Sequence, residues 1–216
     1  MKETPRRPLR SRETKWAATI AGWLTRAGVR PNQISVASAV FGALAGFCLF
    51  FTSSAGQPVR VALFIGAAAC IQLRLLCNLF DGMVAVEGGL RSKSGEIYND
   101  LPDRVSDAAI FIGAGYSITG INWGGELGWL AALLAVLTAY VRLLGGSTGA
   151  RQYFAGPMAK QHRMAVMTAA CLIAEFEAAM DWEGRAITYA LALIVLGCAV
   201  TIVRRIGLIV QDLESK

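Results

Sequence analysis

Charge is scarce in this chain. Asp, Glu, Lys and Arg make up 17% of its 216 residues, against about a quarter in an ordinary soluble domain. With 55% hydrophobic residues and a mean hydropathy of +0.48, that shortage excludes a soluble globular domain and points to an integral membrane protein. Cysteine is sparse too. Cys48, Cys70, Cys77, Cys171 and Cys198 are odd in number, lie inside apolar runs and form no C-x-x-C pair. That excludes a disulfide frame or a zinc site and leaves buried free thiols. Histidine is nearly absent. His162 stands alone, pairs with no nucleophile, and reads as a surface residue. Residues 1–14 hold Arg6, Arg7, Arg10 and Arg12 and no early apolar stretch, so no cleaved signal peptide is expected. Internal repeats, low-complexity tracts and a second domain are also lacking.

What is present is a series of long apolar runs with cations between them. The net charge is +6, from 21 Lys and Arg against 15 Asp and Glu. The cations flank apolar runs, which suits anionic headgroups and topology and excludes nucleic acid as the partner. After the basic tail, residues 15–29 read as a short amphipathic helix. Trp16, Ile20, Trp23 and Leu24 fall near one face, and Lys15 and Arg26 mark its ends, a pattern for the interface plane. Gly28 and Pro31 break it, and Asn32 or Ser35 can cap the next helix. Apolar runs follow at 33–53, 59–87, 96–118, 126–145, 164–180 and 186–203, the first of them long enough to span ~30 Å of hydrocarbon. The N-terminal segment, the 87–95 and 146–163 loops and the C-terminal tail hold most of the Lys and Arg. The three alternate loops hold Arg60, Arg185 or nothing. The expected fold class is therefore an all-α integral membrane protein. Six transmembrane helices follow an N-terminal interfacial helix, with both termini in the cytoplasm. Residues 1–30 are the tail and interfacial helix, and 31–212 the membrane domain.

The informative stretch is Asn78–Asp107, N-L-F-D-G-M-V-A-V-E-G-G-L-R-S-K-S-G-E-I-Y-N-D-L-P-D-R-V-S-D. Asn78 and Asp81 share a helix face, with Arg74 one turn earlier; Asn99, Asp103 and Asp107 form a second stripe, beside Asp100. Two neighbouring helices can aim these groups into one cleft. Ionisable groups at membrane depth are costly and mark functional sites. Oxygen donors of this kind suit a hard cation such as Mg²⁺. Gly82, Ala85 and Gly95 are small enough to let a phosphorylated ligand approach the backbone. Capping of helix ends near the membrane surface explains any one of these side chains. It does not explain the set.

These residues resemble the signature of the CDP-alcohol phosphotransferases, D-x-x-D-G-x-x-A-R-x8-G-x3-D-x3-D. Its eight positions fall on Asn78, Asp81, Gly82, Ala85, Val86, Gly95, Asn99 and Asp103 with every spacing kept, and five match in type. The six spans, the interfacial helix and Pro31-Asn32 before the first span also look like that family. The resemblance implies a transferase that moves a substituted phosphate from a CDP-linked lipid donor, commonly CDP-diacylglycerol, to an alcohol and releases CMP. It implies Mg²⁺ or Mn²⁺ on Asp81, Asn78, Asn99 and Asp103, with Asp103 also the general base. It implies a floor for the donor at Gly82, Ala85 and Gly95, with Asn32 beside it. It further implies a homodimer and a bacterial inner membrane whose cytoplasmic side carries the active site.

Three positions depart from the signature. Asn78 and Asn99 offer neutral oxygens, and Val86 replaces the arginine. Asp100 and Asp107 are the candidates to make up the missing charge at the metal, and Arg74 or Arg91 to replace the arginine. An N-x-x-D-G start with a later N-[ED]-x-x-D-x-x-x-D also resembles a bacterial branch of the family. Beyond the motif, Arg142, Lys160 and Arg163 are expected to meet an acceptor or lipid phosphate; cations here also serve as topology determinants. Two competing readings stand beside the enzyme. One is an impaired family member acting as a lipid-binding or assembly subunit. The other is a small transporter, which six short spans without a repeat suit poorly.

Overall fold

The computed structural model describes residues 14–89, 94–180 and 185–215, apart from the side chains of Glu87 and Glu96. These residues form seven helices in order: α1 (Lys15–Arg26), α2 (Pro31–Phe51), α3 (Gln57–Glu87), α4 (Gly95–Tyr116), α5 (Gly124–Ser147), α6 (Lys160–Ala179) and α7 (Ala186–Glu214). Arg91 lies outside the described residues.

Helices α2 to α7 close into a ring. Helix α2 packs on α3 and α4, α4 on α5, α5 on α7, α7 on α6, and α6 back on α3. Helix α4 also reaches α7 across the ring. The centre is apolar, with Leu49, Ile71, Phe111, Met164, Met167, Leu191 and Ile194 buried in one cluster. Outward-facing side chains are apolar too: Phe47, Leu133, Leu196 and Val203 are all exposed. A bundle apolar on both faces has hydrocarbon as its surroundings.

Four helices, α2, α3, α5 and α7, are long and apolar enough to cross a membrane. Helices α4 and α6 fall short of the six expected spans by composition. The cause is visible in their sequences: α4 carries Asp100, Asp103, Arg104 and Asp107, and α6 carries Lys160, Arg163, Glu175 and Glu177.

Helix boundaries moved where side chains found other partners. Pro31, not Asn32 or Ser35, opens α2, because its fixed φ fits the first helical position. The Arg30 N–H donates to Gln33 Oε1 at 2.9 Å. Helix α6 starts at Lys160, and the polar K-Q-H-R is its first turn. Helix α7 runs past Arg204 and Arg205 to Glu214, because Arg205 is buried and donates to the carbonyls of Ala155 and Thr138. Helix α1 ends before Gly28, whose φ of 74° lies in the left-handed region. Its expected apolar face divides. Ala17 and Ala21 are buried against Phe80, Met83 and Val84 of α3, while Trp16 and Trp23 remain exposed. The Trp16 ring meets Phe80 edge-on at 6.1 Å.

Helices α2 and α4 approach at glycines. A Cβ on Gly113 would sit 2.1 Å from the Gly46 carbonyl oxygen, and one on Gly46 would sit 2.4 Å from that of Ala109. Backbone cannot yield there as a flexible side chain can. Gly113→Ala is therefore expected to destabilise the bundle by about 1–3 kcal/mol. Thermal unfolding in detergent would show it, and an unchanged midpoint would refute the close approach.

Candidate active site

Antiparallel connection places the C-terminal halves of α3, α5 and α7 and the N-terminal halves of α4 and α6 at one end of the ring. All the polar residues singled out from the sequence gather at that end, apart from the undescribed Arg91. On α3 they are Arg74, Asn78 and Asp81; on α4, Asn99, Asp100, Asp103 and Asp107; on α5, Arg142; on α6, Lys160 and Arg163.

The deepest layer is an ion-pair strut. Asp107 is wholly buried. Arg74 Nη2 donates to its Oδ1 at 2.6 Å, and Arg163 Nη2 donates to its Oδ2 at 2.7 Å. Arg74 also donates to the Asp103 carbonyl at 3.2 Å and touches the Met164 sulfur. Arg163 also donates to the Met158 carbonyl at 3.0 Å and to Thr138 Oγ1 at 3.1 Å. Helices α3, α4 and α6 are thus joined through one carboxylate, and Arg163 adds α5. This differs from the sequence reading at three residues. Asp107 has both oxygens taken by guanidinium groups, so it is not placed to hold a metal. Arg74 and Arg163 are sealed inside the bundle and face Asp107, not a substrate phosphate.

Above that strut lies a second polar layer. Asp103 is buried; Lys160 Nζ donates to its Oδ2, and Arg74 Nη2 approaches its Oδ1 at 3.4 Å. Asp81 is buried, and Ser35 Oγ of α2 donates to its Oδ2 at 2.8 Å. Asp103 and Lys160 are its charged neighbours. Asn78 lies one turn before Asp81, and its amide Nδ2 is buried without a hydrogen-bond partner. Toward the rim, Asp100 accepts from Arg142 Nη2 at 2.7 Å and pairs with Arg104 at 3.8 Å. Its charge is answered by arginine, and Arg142 also lies over the Phe154 ring, 5.2 Å from its centroid. Asn99 is exposed at the start of α4. Gly82, Ala85 and Gly95 are half-buried beside these groups in sequence. A cavity of about 320 Å³, lined by Asn32, Gln33, Val36 and Tyr98, opens between the starts of α2 and α4.

Sequence reasoning missed two contributors. Ser35 reads from the sequence as a helix cap, although its place within a span is a signal for a buried partner. Arg205 follows the last apolar run and reads as tail, although it sits in the apolar stretch V-R-R-I-G-L-I-V.

No protein-family model matches the chain. It is 28% identical over 141 residues to the inner membrane protein YnbA of Escherichia coli, covering 65% of the chain and 66% of that protein. It is 30% identical over 132 residues to phosphatidylinositol phosphate synthase of Mycobacteroides abscessus, covering 60% of the chain and 53% of that protein. The chain thus spans about half to two thirds of the length of these curated relatives. The crystal structure of Mycobacterium tuberculosis phosphatidylinositol phosphate synthase (PgsA1) in complex with manganese and citrate superposes with a TM-score of 0.74. Identity is 18%, over 89% of this chain and 88% of that one. The same enzyme with CDP-DAG bound gives 0.72 at 18% identity, over 91% of this chain and 94% of that one. The chain shares the fold of that phosphatidylinositol phosphate synthase.

Within that fold the donor chemistry can be tested against a divalent cation. Among the described residues, no three His, Cys, Asp or Glu side chains gather as a metal-binding group. The oxygens free to turn toward one ion are those of Asp81 and the Asn78 amide, since both Asp103 oxygens already face cations. Amide O and N are interchangeable in placement, so the unpartnered Asn78 nitrogen marks a spot where its oxygen can equally point. One carboxylate and one amide fit a single hard cation whose remaining positions go to phosphate and water oxygens.

Proposed function

We propose that this integral membrane protein is a CDP-alcohol phosphatidyltransferase. It moves the phosphatidyl group from a CDP-linked lipid donor, such as CDP-diacylglycerol, to an alcohol acceptor and releases CMP. The observation that carries this reading is the meeting of buried Asp81 and Asp103, from two different helices, beside the Lys160 ammonium. It is supported by the PgsA1 structures on the same fold, one with manganese and one with CDP-DAG.

The chemistry follows from these side chains. Asp81 with Asn78 would hold Mg²⁺ or Mn²⁺, which supplies neutralisation of the diphosphate and of the departing CMP. Lys160 orients the diphosphate and adds a second positive charge. The Asp103 carboxylate takes the proton of the acceptor hydroxyl. That oxygen then attacks the phosphorus bearing the lipid, and the bond from this phosphorus to the bridging oxygen breaks. CMP leaves with the electron pair. Gly82, Ala85 and Gly95 let the diphosphate lie close to the backbone, and the cavity at Asn32 and Tyr98 receives the cytidine end. Arg142 at the rim meets the acceptor side.

The topology belongs to the same proposal. Helices α4 and α6, with 22 and 20 residues, are long enough to cross the bilayer and are packed between apolar neighbours. That supports six spans. Cations at the chain ends and in the loops near the site support cytoplasmic termini and a cytoplasmic active site in an inner membrane. Helix α1, with Trp16 and Trp23 exposed, suits the interface. A homodimer follows from the family resemblance.

The test is CMP release by the purified full chain, supplied with CDP-diacylglycerol and a panel of alcohols. Release is expected with one acceptor class, and chelation of Mg²⁺ should lower it by about a hundredfold or more. Absence of CMP with every acceptor, at saturating Mg²⁺, would overturn the assignment.

A further inference from the structure

We propose that this site takes one divalent cation and that the Lys160 ammonium stands where a second cation would otherwise neutralise the diphosphate. The inference rests on the reaction proposed above and concerns how this chain performs it.

The carboxylates at the site end are answered unequally. Asp107 has a guanidinium on each oxygen. Asp100 is paired with Arg142 and Arg104. Asp103 carries Lys160 on Oδ2, with Arg104 at 3.8 Å from the same oxygen and Arg74 approaching Oδ1. Asp81 accepts from the neutral Ser35 hydroxyl at its Oδ2 and from the Gly82 backbone N–H, and no Lys or Arg lies within salt-bridge distance of it among the described residues. One acid of the four is thus left with its charge open to a cation.

A pair of metal ions sits about 3.5–4 Å apart. Holding two dications that close takes carboxylates that can bridge them. Asp103 is placed to bridge, but the oxygen turned away from Arg74 already holds an ammonium. A second dication on that oxygen would face Lys160 across the same atom and be repelled. The remaining ligands, Asn78 and Asn99, bring oxygen without charge. Asn78 is the informative one. Its amide lies one turn from Asp81, with a buried nitrogen that finds no partner. Turned over, the amide presents its oxygen to the ion held by Asp81 and the unanswered donor disappears.

Lysine suits the second place. Its ammonium is a compact point charge with three donors, so it can keep Asp103 and contact a phosphate oxygen together. Its side chain is 21% exposed, against 7% for Asp103, so it lies on the open side of the carboxylate. The diphosphate then spans two positive centres of different kinds, an ion at Asp81 and Asn78 and an ammonium at Asp103.

Counting ions tests this directly. The purified full chain in detergent, saturated with CDP, is titrated with Mn²⁺, and bound metal is read from the loss of the free-ion electron paramagnetic resonance signal. One Mn²⁺ per chain is expected in the wild type and none in Asp81→Ala. Lys160→Met is expected to keep one ion and bind CDP at least tenfold more weakly. Two ions per chain in the wild type, or none, would overturn the proposal. So would Lys160→Met with undiminished CDP affinity. Should Lys160→Met fail to fold, the wild-type count still decides. CMP release is scored separately. One ion without CMP release sinks the reaction and leaves the ion count standing, and two ions with CMP release do the reverse.

Discussion

Asp103→Asn is expected to lower CMP release by about a thousandfold, within the range that general bases contribute. Asparagine has the same shape and one acceptor oxygen, which can still accept from Lys160, while the contact to Arg74 is given up. What it cannot do is take a proton from an acceptor hydroxyl. Folding should survive, because Arg74 keeps its shorter bond to Asp107 at 2.6 Å against 3.4 Å to Asp103. CDP binding should therefore stay within a few-fold of wild type, since Lys160 and Asp81 both remain. The pair of measurements separates roles. Loss of turnover with binding retained marks a base. Loss of both would move Asp103 into binding alone, and turnover within tenfold of wild type would remove it from the chemistry.

Much of this site is legible in the sequence, for a physical reason. A helix fixes which of its own residues share a face, so Asn78 with Asp81 and Asn99 with Asp103 follow from spacing alone. Antiparallel spans then bring the end of α3 and the start of α4 to one side of the bundle. What one helix cannot tell is how it is rotated against its neighbours. Asp103 and Asp107 read as one continuous stripe, yet the first faces Lys160 at the opening and the second faces two arginines in the interior. That division depends on side chains of α3 and α6, far off in sequence. Arg205 shows the same limit. A cation after an apolar run reads as a helix end at the membrane surface. Here the carbonyls of Ala155 and Thr138 accept its protons, and α7 continues for nine more residues to Glu214. Helices α4 and α6 are the contrary case: both read as spans in the sequence despite their charges, and both are part of the ring.

The opposite case is a carboxylate whose loss should cost the fold and not the chemistry first. Asp107→Ala leaves Arg74 and Arg163 facing each other inside the bundle, both essentially unexposed, with no anion between them. Removing one partner of a buried ion pair costs about 3–5 kcal/mol, because the other charge stays desolvated. For a chain of this size that lowers the unfolding midpoint by roughly 10 °C. Thermal unfolding in detergent reads it. The strut also predicts coupling. Arg74→Met with Asp107→Ala removes one of the two stranded cations, so the double variant should be destabilised by at least about 1 kcal/mol less than the sum of the single variants. Additive losses would mean that the arginine and the aspartate act independently. Activity per folded molecule adds a further distinction. Arg74 reaches both Asp107 and the Asp103 backbone carbonyl, so a loosened strut lets Asp103 drift from Lys160. The kcat of surviving Asp107→Asn protein should then fall more than the acceptor KM rises, whereas a metal ligand at this position would have taken Mn²⁺ binding with it.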